Sequence, residues 1–381
     1  MKRMMRFKYE VLVVVIWVIA VVAKVLFNGL ILDFDYGIYQ PDGKYYTFMT
    51  LEFLNHNPMY SAQQVVDWYS IHGVKMKIFT VEDLMPSTSP IYHLISHRVL
   101  YSLLSVPFVA LIGIPGMLVI PSLSLLALLL SIQILARQFK KPIIGLILVI
   151  LVSSSPTVIR WMILNCTDSL LAGLFALVPF SIGLLEQKNR KGLFFLATLV
   201  VLTSATRFTL PIWLSIFLVL LAKKMYRKEV LLLTLLSCLA AFPSLNAQVS
   251  SALLPGETEA STLSKLILLP ISLIKVAGID ILQFGVLDRI LLVILICALI
   301  QSIRLWGYLS SSLFLSVLIA VYVIGAINGT LGVNFRYQLP VLIFCAWLLL
   351  DSFEISNGKL SLTPPTKRHV VVDKIQKQLK A

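Results

Sequence analysis

The sequence is short of charge. Only 13% of its 381 residues are Asp, Glu, Lys or Arg, where a soluble domain carries about 25%, and the shortage excludes an ordinary water-facing globule. Cysteine is scarce as well. Cys166, Cys238, Cys297 and Cys345 lie in or beside apolar segments without paired spacing, which argues for buried thiols and against a disulfide framework or a zinc site. No internal repeat and no low-complexity stretch is present. Acidic residues are outnumbered, 18 against 32 Lys and Arg, for a net charge of +14. The basic residues fall mainly in short loops between apolar runs, the positive-inside pattern of a membrane protein, so the charge does not call for nucleic acid.

What the chain has in abundance is apolar sequence, 58% of residues. The runs predict an all-α polytopic membrane protein with about ten spans, each near the ~20 residues that cross a bilayer. The first covers residues 11–32, behind Lys2, Arg3, Arg6 and Lys8. It is longer than a signal peptide's apolar region and lacks a small-residue cleavage site, so it reads as retained, with a cytoplasmic N-terminus. Lys24, late in this run, is expected to snorkel to the outer interface. Residues 33–97 form an extracytoplasmic loop, in which 45–54 has the composition of an amphipathic surface helix. Residues 98–112 are too short for a crossing and read as a juxtamembrane helix, because a full span there would put Arg137, Lys140 and Lys141 outside.

The remaining spans are then 115–136, 143–158, 169–185, 193–205, 210–222, 230–245, 289–303, 309–327 and 339–353, with a second interfacial helix at 265–278. This single topology keeps Lys188, Arg190, Lys191, Lys223, Lys224, Arg227, Lys228 and Arg304 on the cytoplasmic side. Residues 1–353 thus form one transmembrane module, and 354–381 a basic cytoplasmic tail. The default location is the inner membrane of a bacterium.

Charges on the opposite face are not explained by that bias. Asp33, Asp35 and Asp42 lie in DFDYGIYQPDGKYY, followed by Lys44, Tyr45 and Tyr46. Arg160, Arg207 and Arg336 stand singly at span ends, Arg160 in RWMILNCTD ahead of Asp168 and Arg336 in NFRYQLP beside Tyr337. Each arginine either locks helices by pairing with a carboxylate or grips a phosphate with its rigid fork of donors. Asp42 is either a turn residue of a Pro-Asp-Gly tripeptide or a base. His93 and His97 in HLISH share a helical face, but no third ligand stands at a recognisable spacing, so a metal pair is not assigned. Asn165-Cys-Thr167 and Asn328-Gly-Thr330 match the glycosylation sequon too close to the membrane to be read as sites.

The layout resembles the GT-C superfamily of membrane glycosyltransferases, which includes the protein O-mannosyltransferases and the aminoarabinose transferases of lipid A. The similarity covers residues 10–350. QPDGKYY is similar to the acidic motif that follows the first span in that superfamily, with Asp42 in the acidic position and Gly43 where many members have a second acid. SPIYHLISHRVLYSLLSVPFVALIGIPG, which contains His97 and Arg98, resembles the interfacial segment before the second span. RWMILNCTD and FRYQLP resemble later Arg-then-Asp and Arg-Tyr motifs. After residue 353 only the basic tail is expected, without a counterpart of the soluble C-terminal domain that many members carry.

The resemblance implies transfer of a sugar from a polyprenyl or dolichyl phosphate to a glycan, lipid or protein acceptor on the outer face, with inversion. It casts Asp42, Asp33 or Asp35 as the base and Arg207, Arg336, Arg160 and Lys44 on the donor phosphate. Asp168, Tyr45, Tyr46, Tyr337, His97 and Arg98 would support them. A divalent metal, Mg or Mn, is a cofactor option of that chemistry. A transporter of lipid-linked saccharides and an O-antigen-type polymerase or ligase are the alternatives; the first usually shows paired halves, and the second carries its large outer loop late in the chain.

Overall fold

A computed structural model describes residues 8–26, 42–72, 79–85, 92, 95–187, 189–252, 269–327 and 338–356. Among these residues all regular structure is helical. Three stretches are long and apolar enough to cross a membrane: Lys8–Leu26, Ile114–Gln138 and Thr167–Glu186. Shorter apolar helices, among them Lys191–Ser204, Leu210–Ala222 and Leu309–Gly325, fill out the bundle. The expected count of about ten spans therefore rests in part on helices shorter than the ~20 residues of a full crossing.

The chain opens with α1 (Lys8–Leu26), then builds a layer of three helices, α2 (Gly43–Asn55), α3 (Pro58–His72) and α4 (Val99–Ile112). Gly113, at φ +71°, ends α4, and a 3-10 turn over Ile114–Leu118 leads into α5 (Val119–Gln138). The bundle continues through α6 (Pro142–Ser154), α7 (Pro156–Met162), α8 (Thr167–Phe175), α9 (Val178–Glu186), α10 (Lys191–Ser204) and α11 (Leu210–Ala222). It closes with α12 (Arg227–Ala252), α13 (Leu269–Leu287), α14 (Arg289–Arg304), α15 (Leu309–Ile327) and α16 (Val341–Ser356).

Two apolar cores result. The larger runs through the bundle and includes Leu128, Trp213, Phe314 and Phe344; the smaller joins the three-helix layer to the start of α5 through Tyr46, Tyr69, Tyr101 and Met117. The loop after α5 lies at the other end of that helix from this layer. Arg137, one α5 length away, pairs with Glu10 at the start of α1, and the Lys223 ammonium donates to the Gly307 carbonyl.

Four expectations are corrected. Residues 143–158 are not one straight span, because α6 and α7 meet at 75°. Ser155 precedes Pro156 and is held extended (φ −71°, ψ 116°), since a residue before proline is disfavoured in the helical region. Residues 45–54 are helical, but Tyr45 to Leu51 are buried on every side, so the helix is inserted into the protein and has no wet face over those seven residues. Lys24 is 3% exposed where Val25 and Leu26 beside it are 49% and 65%, so its side chain turns into the protein and does not snorkel outward. Residues 265–278 fall partly in α13, whose 19 residues extend well past the expected end.

Candidate functional site

The helix α2 begins immediately after Asp42, whose backbone is already helical and whose carbonyl accepts from the Tyr45 N–H. A carboxylate at a helix N-terminus is favoured by the helix dipole. The first turn of α2 then presses against the segment entering α8. A Cβ built on Gly43 would stand 2.7 Å from the Asn165 carbonyl oxygen, so glycine is what the close approach demands. No second acid fits where the QPDGKYY motif has Gly43.

Asn165 organises the floor beneath this turn. It is fully buried, and its Nδ2 donates to Tyr69 Oη (2.9 Å) and Thr47 Oγ1 (3.0 Å), with the Gly43 carbonyl at 3.4 Å. Its Oδ1 lies 2.8 Å from Tyr101 Oη, which is also 2.7 Å from the Met117 carbonyl. The sequon asparagine is thus a structural hub tying α2, α3, α4 and the α7–α8 turn together. Its buried amide is committed to those contacts.

Around the floor stand the cations. Arg98, only 8% exposed, donates from Nη1 to Tyr46 Oη at 3.3 Å, and Tyr46 Oη sits 3.3 Å from Thr167 Oγ1. Its Nε has no hydrogen-bond partner, and among the described residues no carboxylate pairs with it. The Leu100 N–H donates to the Ala205 carbonyl at 3.3 Å, which fixes the start of α4 against the α10–α11 loop. That loop carries Arg207, and Arg207 forms a buried ion pair with Asp168 in the first turn of α8. The chain Arg98, Tyr46, Thr167, Asp168 and Arg207 is therefore continuous.

Two further groups border this set. Lys44 lies over the Phe79 ring, 4.2 Å from its centroid; burial holds its ammonium below the usual lysine value, opposed by Asp83 and Asp42. Both ring nitrogens of His97 are buried without a partner. Burial, with a smaller push from Arg98, takes its pKa down to about 4. A cleft of about 450 Å³ is lined in part by Glu52, His56, Tyr92, Ser96 and Val99. Burial and Glu52 raise the Tyr92 phenol to about 12.

The structure thus brings together Asp42, Lys44, Tyr45, Tyr46, His97, Arg98, Asp168 and Arg207 on the three-helix layer and the helix ends it covers. Arg160 stands on α7, its guanidinium over the Trp161 ring. Asp33, Asp35, Arg336 and Tyr337 lie outside the described residues, as does His93. No group of three or more His, Cys, Asp or Glu suited to a metal ion occurs among the described residues.

Sequence reasoning passed over Asn165 as an acceptor of structural hydrogen bonds, and it passed over Asp288. The Asp288 carboxylate accepts from Ser155 Oγ and from the Thr157 and Leu291 N–H groups, the last two at 3.0 Å. It caps α7 and α14 together. An Asp directly ahead of an apolar run was the available signal. Comparison of the chain with protein-family models, curated proteins and solved structures returns no match.

Proposed function

We propose that the protein is a membrane glycosyltransferase that moves a sugar from a polyprenyl phosphate to an acceptor at the face of the membrane bearing the α2–α4 layer. The observation that carries the reading is Arg98, a buried cation with which no carboxylate pairs among the described residues, held one hydrogen bond from Tyr46 on the helix that Asp42 begins. A buried charge is costly unless a counter-charge completes it, and a phosphate is the anion that such a guanidinium suits.

In this reading Asp42 takes the proton from the acceptor hydroxyl as its oxygen attacks the anomeric carbon. The bond from that carbon to the phosphate oxygen breaks on the opposite face, and the phosphate leaves with the electron pair, so the configuration inverts. Arg98 stabilises the charge that grows on the leaving group. Arg207 acts through position: paired with Asp168, it holds the α10–α11 loop against the start of α8. Tyr46 links the two arginine positions. Asp33 and Asp35 are the other carboxylates able to serve as base, and Arg336 a further cation for the phosphate. The apolar helices around the site suit a donor whose tail stays in lipid.

The test is direct. Protein purified in detergent is incubated with a panel of polyprenyl-phosphate sugars and an acceptor extract, and released polyprenyl phosphate is measured. Release with one donor supports the reading and names the sugar. Binding of the same lipids without turnover would replace it with a transporter, and absence of binding would overturn it.

A further inference from the structure

A cleft of about 430 Å³ lies between α11 and α15, and none of its lining residues belongs to the α2–α4 layer. Its walls are apolar and outward-facing: Leu218 and Ile319 are 66% and 61% exposed. Ser215, Ser312 and Ser316 also line it, but each hydroxyl donates to a carbonyl three or four residues before it. They add little polarity. From Ser215 to Lys223, which stands at one end of the cleft, α11 rises ~12 Å.

The end at Lys223 is charged. The Lys223 ammonium donates to the Gly307 carbonyl, which ties the end of α11 to the turn before α15. An ammonium has three donors, so one bond to the protein leaves others for a ligand. Lys224, Arg227 and Lys228 follow it, all exposed, with Glu229 as the acid among them. Arg304, also exposed, stands three residues before Gly307. Helix α15 begins at Leu309, so the positive end of its dipole lies at the same corner. Asp351 approaches that helix start through Ser310, which is two positions, about 200° of helix, away from Ser312 on the cleft wall. Trp306, beside Gly307, is 77% exposed, as an aromatic that settles at the level of lipid headgroups would be.

An exposed apolar trough with cations at one end fits one amphiphile. A soluble anion would leave the trough empty, and a zwitterionic lipid brings a cation of its own to a corner already rich in them. We propose that the α11–α15 groove binds an anionic phospholipid, its acyl chain along Leu218 and Ile319 and its phosphate at Lys223. The site is separate from sugar transfer and stands or falls without it.

The experiment uses the full chain in detergent, titrated with phosphatidylglycerol or with phosphatidylcholine of the same acyl chains, with native mass spectrometry and thermal shift as readouts. The wild type binds phosphatidylglycerol about tenfold more tightly. Lys223→Met keeps the stem and removes the charge, and it loses about fivefold or more of that preference; Lys223→Arg keeps it. Lys224→Gln, one residue on and outside the cleft lining, stays within about twofold of wild type. Ala222→Phe, at an exposed position on the cleft wall, fills the trough and lowers affinity for both lipids. It leaves the bond from Lys223 to Gly307 in place, so it tests the groove even if Lys223→Met does not fold.

Equal affinity of the wild type for the two lipids overturns the site. So does a loss in Lys224→Gln as large as that in Lys223→Met, which would reduce the preference to diffuse surface charge. Displacement of the lipid by glycerophosphoglycerol, the headgroup without its chains, or unchanged affinity in Ala222→Phe would show that no chain lies in the trough, and overturns it equally.

Discussion

Arg207 and Asp168 form an ion pair sealed from solvent, the arginine 5% and the aspartate 1% exposed. The guanidinium that looked available for phosphate is committed to a carboxylate across the α8–α10/α11 junction. Removing one partner leaves an uncompensated buried charge. Arg207→Met and Asp168→Leu singly are each expected to cost about 3–5 kcal/mol, while the double variant recovers most of that loss. Thermal unfolding of the four proteins in detergent closes the cycle; additive losses would show that the pair does not act as one unit.

Asp42→Asn is expected to lower transfer by about 10²–10⁴-fold, the scale of a positioned base, with little change in melting temperature. The check is polyprenyl phosphate release alongside a melting curve. Full activity in this variant moves the base to Asp33 or Asp35.

Gly43→Ala tests the close approach of α2 to Asn165. With 2.7 Å between the new Cβ and the Asn165 carbonyl oxygen, overpacking predicts a loss of about 1–3 kcal/mol. Gly183→Ala is the matched control, on a helix with nothing within 4 Å of the added Cβ; it is expected to be neutral or stabilising by up to about 1 kcal/mol. Equal effects at both positions would remove the steric argument.

His97 sets a pH dependence. Its folded pKa of about 4 lies below the unfolded value near 6.5, so the unfolded chain binds the proton first as pH falls. Its contribution is therefore full above pH ~6.5 and is lost progressively down to pH ~4. Melting temperatures across pH 4–7 are expected to decline toward acid, and His97→Gln to flatten that decline. An unchanged slope in the variant would place the acid sensitivity elsewhere.

How legible this was in the sequence differs by residue. The helical class and the polar segment after the first apolar run follow from composition and run length alone. Asp42 at a helix start is readable from Pro-Asp-Gly ahead of an aromatic run. The bend before Pro156 was signalled by the proline itself, but the apolar count of 143–158 outweighed it. Lys24 and Arg207 were unreadable for one shared reason: a lone cation at a span end looks the same whether it turns outward, meets a carboxylate or waits for a ligand. Only the meeting of helix ends distant in sequence decides between them. Asn165 was hidden differently, its buried hydrogen bonds masked by a three-residue pattern that suggested the cell surface.

Asp288 carries a consequence for how the chain is made. Its carboxylate is bonded by Ser155 and Thr157, which precede it by 133 and 131 positions. While a ribosome is still inserting the intervening helices, the α6–α7 bend exists without the group that satisfies it. The corner on which Arg160 stands is thus finished late in biosynthesis, once α14 arrives. A chain truncated before residue 288 would hold the same α7 sequence with the start of that helix missing a buried bonding partner.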